Sequence, residues 1–269
     1  MTKGIIKANL TTVQKICFAG IFIAVVTILQ KILAINYIPV VPFLRISLGG
    51  PAVIIFSSIF LGPIYGMCIG ALSDILGYFL LDPKMMGYLP QITAIYALLG
   101  LVPYFIFWLF KLIKNDKVMF IIEGVSFVAL LGGITSYLFL NNNLQLYGSI
   151  YTLALWQKIL IPSVLLVLLA GLFVSSLLFN KKYKKDSLPM SPICITFCCF
   201  VIELLIMVLF GTLMKGWAFG FKTYPMILIC QVIVLFINIP LNTWLLILLL
   251  RVTNRFYKSE VKNNNEVTA

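Results

Sequence analysis

Apolar residues in this chain do not alternate with polar ones at a helical or strand period; they run on in blocks, broken by clusters of Pro, Gly, Asn or Lys. A helix needs about 20 mainly apolar residues to cross a bilayer, and its backbone satisfies its own hydrogen bonds there. Eight stretches fit that pattern: Ile16–Ala34, Leu48–Leu61, Ile64–Leu81, Leu89–Phe110, Val118–Leu140, Leu153–Phe179, Ile193–Leu213 and Met226–Leu250. The second is short and meets the third across Leu61-Gly62-Pro63-Ile64, a turn without polar residues. That junction predicts a helical hairpin, with a distorted re-entrant unit as the alternative. A faint echo links Tyr151–Pro162 and Tyr224–Pro240, each opening a span with Tyr followed by Gln and Pro. It reads as chance similarity before duplication.

Composition turns the pattern into a class. Of 269 residues 62% are hydrophobic and 10% charged, against roughly 45–50% and about 25% in soluble domains. The mean hydropathy is +1.09. A soluble enzyme, a disordered tail and a nucleic-acid module are excluded together. The expected fold is all-α: one polytopic helical membrane domain over residues 1–269 with about eight transmembrane helices. The chain has no histidine, which removes imidazole acid–base chemistry and most zinc sites. Cys17, Cys68, Cys194, Cys198, Cys199 and Cys230 all lie in apolar runs and read as small hydrophobes, so no metal and no cofactor are expected. A phosphate-binding Gly-rich loop ending in Lys-Ser or Lys-Thr is missing. The first long apolar run has no small-residue cleavage site after it, so it reads as a span, not a leader.

The net charge of +12 follows topology. Lys3, Lys7 and Lys15 precede the first span and Lys111, Lys114 and Lys117 follow the fourth. Lys181, Lys182, Lys184 and Lys185 follow the sixth, and Arg251, Arg255, Lys258 and Lys262 follow the eighth. If all eight stretches cross, these share one side. The other holds Arg45, Lys84, Lys215 and Lys222, with Lys31 and Lys158 near span ends facing it. The positive-inside rule then places both termini in the cytoplasm of a cell-membrane protein.

In so apolar a chain, polar residues at depth carry the information. Pro39–Pro51 forms an outside loop held in non-helical geometry by prolines and glycines, with Arg45 as its only charge. Its guanidinium suits a carboxylate or an electron-rich ring, or else snorkels to headgroups. Gly62, Gly66, Gly70 and Asp74 recur every four residues and so share one face of the third span. Small residues there allow close helix approach. Asp74 then pairs structurally, caps a broken helix or meets a ligand. The next outside loop brings Tyr88, Gln91 and Thr93 to the mouth of the fourth span. Glu123 and Glu203 read as snorkelling groups near cytoplasmic span ends, with proton coupling as the alternative. Gly20 and Ala24, with Ala19 beside them, form a small-residue groove for another helix.

Taken in order, Arg45-Ile-Ser47, Pro51, Leu61-Gly62-Pro63-x-x-Gly66-x-x-x-Gly70-Ala71-x-x-Asp74-Ile-Leu-Gly77-Tyr78, Tyr88-x-Pro90-x-x-Thr93-Ala94 and Leu98-x-Gly100-Leu-x-Pro103 resemble the substrate-binding S component of energy-coupling factor (ECF) vitamin transporters. The folate type is most similar. The resemblance spans roughly Lys15 to Phe110, with residues 16–110 the best-matching part. The spans over 118–250 make up the rest, so the eight helices read as a six-helix S-component-like core plus two extra. It implies a non-enzymatic vitamin binder, folate favoured, that takes substrate from outside. The implied partners are a transmembrane coupling subunit and two cytoplasmic ATPases. Arg45, Asp74, Tyr88, Gln91 and Thr93 are the implied substrate-binding residues. Ala19, Gly20 and Ala24 match the small residues that face the coupling subunit. An ion-coupled secondary carrier for a small organic solute, using Glu123 or Glu203, is the alternative.

Overall fold

Thr11 opens the first helix with a capping box. Its side chain accepts from the Gln14 backbone, and the Gln14 side chain accepts from the Thr11 backbone at 2.9 Å. This computed structural model describes residues 10–33, 49–81, 88–112, 115–141, 143–146, 149–183, 190–219 and 224–267. The helices are α1 (Thr12–Lys31), α2 (Gly50–Leu61), α3 (Pro63–Leu81), α4 (Pro90–Leu112), α5 (Asp116–Leu140), α6 (Leu155–Tyr183), α7 (Pro192–Ile202), α8 (Gly211–Phe219) and α9 (Tyr224–Val267). A π-helical stretch, Glu203–Phe210, joins α7 to α8. Between α5 and α6 lies a small antiparallel hairpin of β1 (Asn143–Leu146) and β2 (Ser149–Thr152), with Asn143 opposite Thr152. It stands where the sequence predicts only an outside loop.

Among the described residues, seven helices are long and apolar enough to cross a membrane. The protein is an all-α polytopic membrane protein. The short second stretch is α2. At 12 residues and 1.5 Å per residue it is about 18 Å long, too short to cross about 30 Å of hydrocarbon alone. All its residues are buried. Gly49, at φ 80°, starts it, and Gly62, at φ 107°, ends it in a conformation only glycine adopts readily before Pro63 opens α3. The junction is therefore a helical hairpin whose first arm is a short inner helix.

Inter-helix contacts fix the directions. Phe18 and Phe22 of α1 meet Phe60 and Phe56 of α2, so these run antiparallel. Lys15 lies over the Tyr65 ring and the Thr27 hydroxyl sits 3.3 Å from the Ser73 carbonyl, so α1 and α3 are parallel. Gly66 abuts Gly100 and Gly70 abuts the Tyr96 carbonyl, so α3 and α4 are antiparallel. Ser191, the N-cap of α7, donates to Asp116 Oδ1 at 2.8 Å, which brings the starts of α5 and α7 together. Successive segments thus alternate in direction, and the start of α1 and the C-terminal end of α9 fall at the same end of the bundle. That is the end holding the Lys15, Lys111, Lys117 and Arg251 positions.

Two packing centres result. One gathers α1–α4 with α7 and the Leu246–Leu250 part of α9. The other gathers α5 and α6 with Phe200, Val208 and the Ile229–Ile239 part of α9. α5 and α6 lie against the α7–α9 wall, and that wall is shared by both centres. The Tyr151 and Tyr224 echo does not align: Pro162 lies early in α6, Pro240 well inside α9.

Candidate functional site

Backbone proximity of α3 and α4 builds the candidate site. A side chain at Gly70 would strike the Tyr96 carbonyl, and one at Gly100 would strike the Gly66 backbone. In lipid, helices gain nothing from hiding apolar surface, so such close packing supplies much of their adhesion. It also draws the facing polar side chains together one turn further along. Thr93 Oγ1 donates to Asp74 Oδ2 at 2.7 Å. Tyr88 Oη lies 2.7 Å from Thr93 Oγ1. The single Thr93 proton is committed to Asp74, so Tyr88 is the donor in that second bond.

The result is a directed chain, Tyr88 to Thr93 to Asp74, with the carboxylate buried at its foot. The Tyr88 ring stacks on Phe79 at 5.8 Å and tilts against Tyr78 at 5.4 Å. Those rings make an aromatic rim. Gln91 is half-buried, and its Oε1 has no hydrogen-bond partner among the described residues. The Lys31 side chain crosses Gly77, three residues beyond Asp74. This group sits at the end of the bundle opposite the start of α1. The structure therefore brings together Asp74, Tyr88 and Thr93, whereas Gln91, two residues before Thr93 on α4, stands on another face of that helix. Arg45 lies outside the described residues.

The small residues of α1 divide. Gly20 and Ala24 are exposed, and nothing lies within 4 Å of a side chain built at Gly20. Ala19 is half-buried and packs inward on the first core. Only Gly20 and Ala24 remain open to another helix.

Glu123 and Glu203 depart from expectation. Both are 1% exposed, so neither snorkels. Glu123 shares the buried stripe of α5 with Met119 and Phe127, and Glu203 accepts a hydrogen bond from Asn242 Nδ2 of α9. The reason is rotational: each stands on the face of its helix turned to the shared wall, too far inside for its short side chain to reach an interface. Asn242 was not picked out as a site residue. Its signal is present, since Asn238, Asn242 and Thr243 break the apolar run Met226–Leu250. Tyr78 and Phe79 were missed as rim residues because aromatics near span ends usually read as belt anchors. Among the described residues no group of His, Cys, Asp and Glu is suited to hold a metal ion.

No protein-family model, no curated protein and no solved structure matches this chain.

Proposed function

We propose that the chain is the vitamin-binding membrane subunit of an ECF-type importer, taking folate or a related vitamin from outside and passing it inward with a coupling subunit and two ATPases. The observation that carries the reading is the Tyr88–Thr93–Asp74 chain under an aromatic rim. A flat heteroaromatic ligand stacks on Tyr88 and Phe79. Arg45 offers a fixed guanidinium fork that suits the ligand's carboxylates, and the unpartnered Gln91 side-chain carbonyl is the further polar candidate. Asp74 is an anchor beneath the site, holding Thr93 and through it Tyr88. Binding involves no covalent chemistry.

The open Gly20 and Ala24 face fits a coupling subunit whose helix approaches α1 closely. A subunit that borrows ATP hydrolysis from partners also accords with a sequence lacking a phosphate loop. The test is titration of the detergent-purified chain with a panel of vitamins, following the fluorescence of Trp108, Trp156, Trp217 and Trp244. Saturable quenching by folate well below micromolar concentration is the expected result. Tight binding of another vitamin keeps the class and changes the substrate. If nothing in the panel binds better than about 1 μM, or about −8 kcal/mol, the reading fails. Solute uptake by the chain alone in proteoliposomes, driven by a pH gradient, would replace it with the ion-coupled carrier.

A further inference from the structure

A second polar group lies deep in the bundle, apart from the outer site. Glu203 is the twelfth residue of the rod that begins at Pro192, about 17 Å along it, and so near the middle of the hydrocarbon. An ionised carboxylate there, with one neutral amide for company, is strongly disfavoured. Its Oε1 accepts from Asn242 Nδ2. Among the described residues its Oε2 has no hydrogen-bond partner, and neither does Asn242 Oδ1. Asn242 is 0% exposed and Glu203 1%. Two groups bonded through one pair of atoms thus present two unsatisfied acceptor oxygens. Acceptors cannot satisfy each other; a positive charge between them satisfies both.

We propose that Glu203 Oε2 and Asn242 Oδ1 hold one monovalent cation, either a proton or Na⁺. A proton converts the carboxylate to the acid, whose O–H donates to Asn242 Oδ1. The acid and amide then form a cyclic pair with both hydrogen bonds made. Na⁺ takes the same two oxygens. The helix passes from α to π geometry at Glu203, a widened turn that recurs where a helix carries a functional side chain.

α6, which also packs on α7 and α9, carries the buried Lys158; among the described residues no group hydrogen-bonds Glu203 Oε2. Of the titratable groups on α7, the Cys199 thiol interacts with Glu203, and Glu123 of α5 interacts with the Cys198 and Cys199 thiols. α4 carries Tyr96 and Tyr104, α8 carries Lys215, and α9 carries Cys230 and Arg251; none of them hydrogen-bonds Glu203 Oε2. The site lies on the wall shared by the two cores, so its occupancy bears on how the α5–α6 hairpin seats. It is independent of the vitamin-binding reading and holds for a chain without vitamin.

The experiment uses the full purified chain in nanodiscs. Dicyclohexylcarbodiimide, which modifies protonated carboxyls in apolar surroundings, is applied across pH 5–9 in NaCl or in N-methyl-D-glucamine chloride at equal ionic strength. Modified residues are read by mass spectrometry, and Tm is recorded in parallel. Modification of Glu203 that declines with rising pH is expected. Protection by NaCl assigns Na⁺ as an occupant; identical labelling in both salts assigns the proton alone. Glu203→Gln, whose amide pairs with Asn242 without a cation, is expected to fold and to lose the pH and salt response of Tm. Glu123→Gln is expected to keep that response. The proposal is overturned if Glu203 of the wild type stays unmodified at every pH, or if Glu123→Gln and not Glu203→Gln removes the response. The labelling arm uses only the wild type and so decides the matter even if a variant does not fold.

Discussion

Thr93 has one hydroxyl proton and two polar neighbours, and that constraint orders the outer site. Replacing it with the isosteric valine removes both hydrogen bonds at once, taking the Thr93 donor from Asp74 and the acceptor from Tyr88. Leaving buried polar groups short of partners costs about 1–3 kcal/mol. Thr93→Val is therefore expected to lower Tm and to weaken vitamin binding by roughly tenfold or more, since 1.4 kcal/mol is tenfold. Tyr88→Phe removes only the terminal bond, about 0.5–1.5 kcal/mol, and keeps the ring that stacks on Phe79. It is expected to do measurably less harm than Thr93→Val in the same fluorescence titration. The reverse ranking would place Tyr88 on the ligand through its hydroxyl and demote Thr93. Arg45→Ala is expected to weaken folate binding at least about tenfold with expression unchanged; unchanged affinity removes Arg45 from the site.

At the scale of elements, glycines on different helices are not equivalent. A valine at Gly100 would drive its Cβ into the Gly66 carbonyl and within 2.8 Å of the Met67 nitrogen. Those are backbone atoms and cannot swing aside, so α3 and α4 must separate and the Asp74–Thr93 bond is lost with them. Gly100→Val is expected to aggregate or to elute heterogeneously in size-exclusion chromatography. Gly20→Val meets open space and is expected to purify, melt and bind vitamin as the wild type does. Under the importer reading it then fails to co-purify with the coupling subunit and ATPases. Normal assembly by Gly20→Val would remove α1 from the docking face. The contrast also shows why some contacts were legible in the sequence and others were not. The repeat Gly66, Gly70, Asp74 carries rotational information, because small residues at a spacing of four mark one face, whereas Gly62, expected on that face, lies outside α3 and ends α2. The repeat correctly announced a tight partner for α3 and a packed Asp74. Glu123 and Glu203 sit in runs apolar all round, where no polar stripe separates a lipid face from a protein face. Neither the rotation of the two glutamates nor the depth of Glu203, which reads as near a span end but lies well along its rod, could be taken from such runs. The shortness of the second stretch was visible; its complete burial follows from helices that lie far along the chain.

For the whole molecule, alternation of direction is the property from which orientation follows. Each crossing reverses the chain, so one short inner helix changes the parity only if it fails to reverse direction. α2 does reverse direction between α1 and α3, which keeps the start of α1 and the end of α9 at one end although only seven helices are long enough to cross. Among the described residues Lys15, Lys111, Lys117 and Arg251 collect at that end, and the Tyr88–Thr93–Asp74 group with the β1–β2 hairpin at the other. The positive-inside rule assigns the basic end to the cytoplasm. Two exposed positions test both statements: Asn115, just before α5, and Thr152, at the end of β2. In a chain with its native cysteines replaced, Thr152→Cys is expected to react with a membrane-impermeant maleimide on intact cells. Asn115→Cys is expected to react only after permeabilisation. The opposite pattern would invert the molecule, turn the Tyr88–Thr93–Asp74 chain toward the cytoplasm and end the uptake reading. Labelling of both from one side would mean that α5 does not cross, and the alternation inferred from the helix contacts would fail with it.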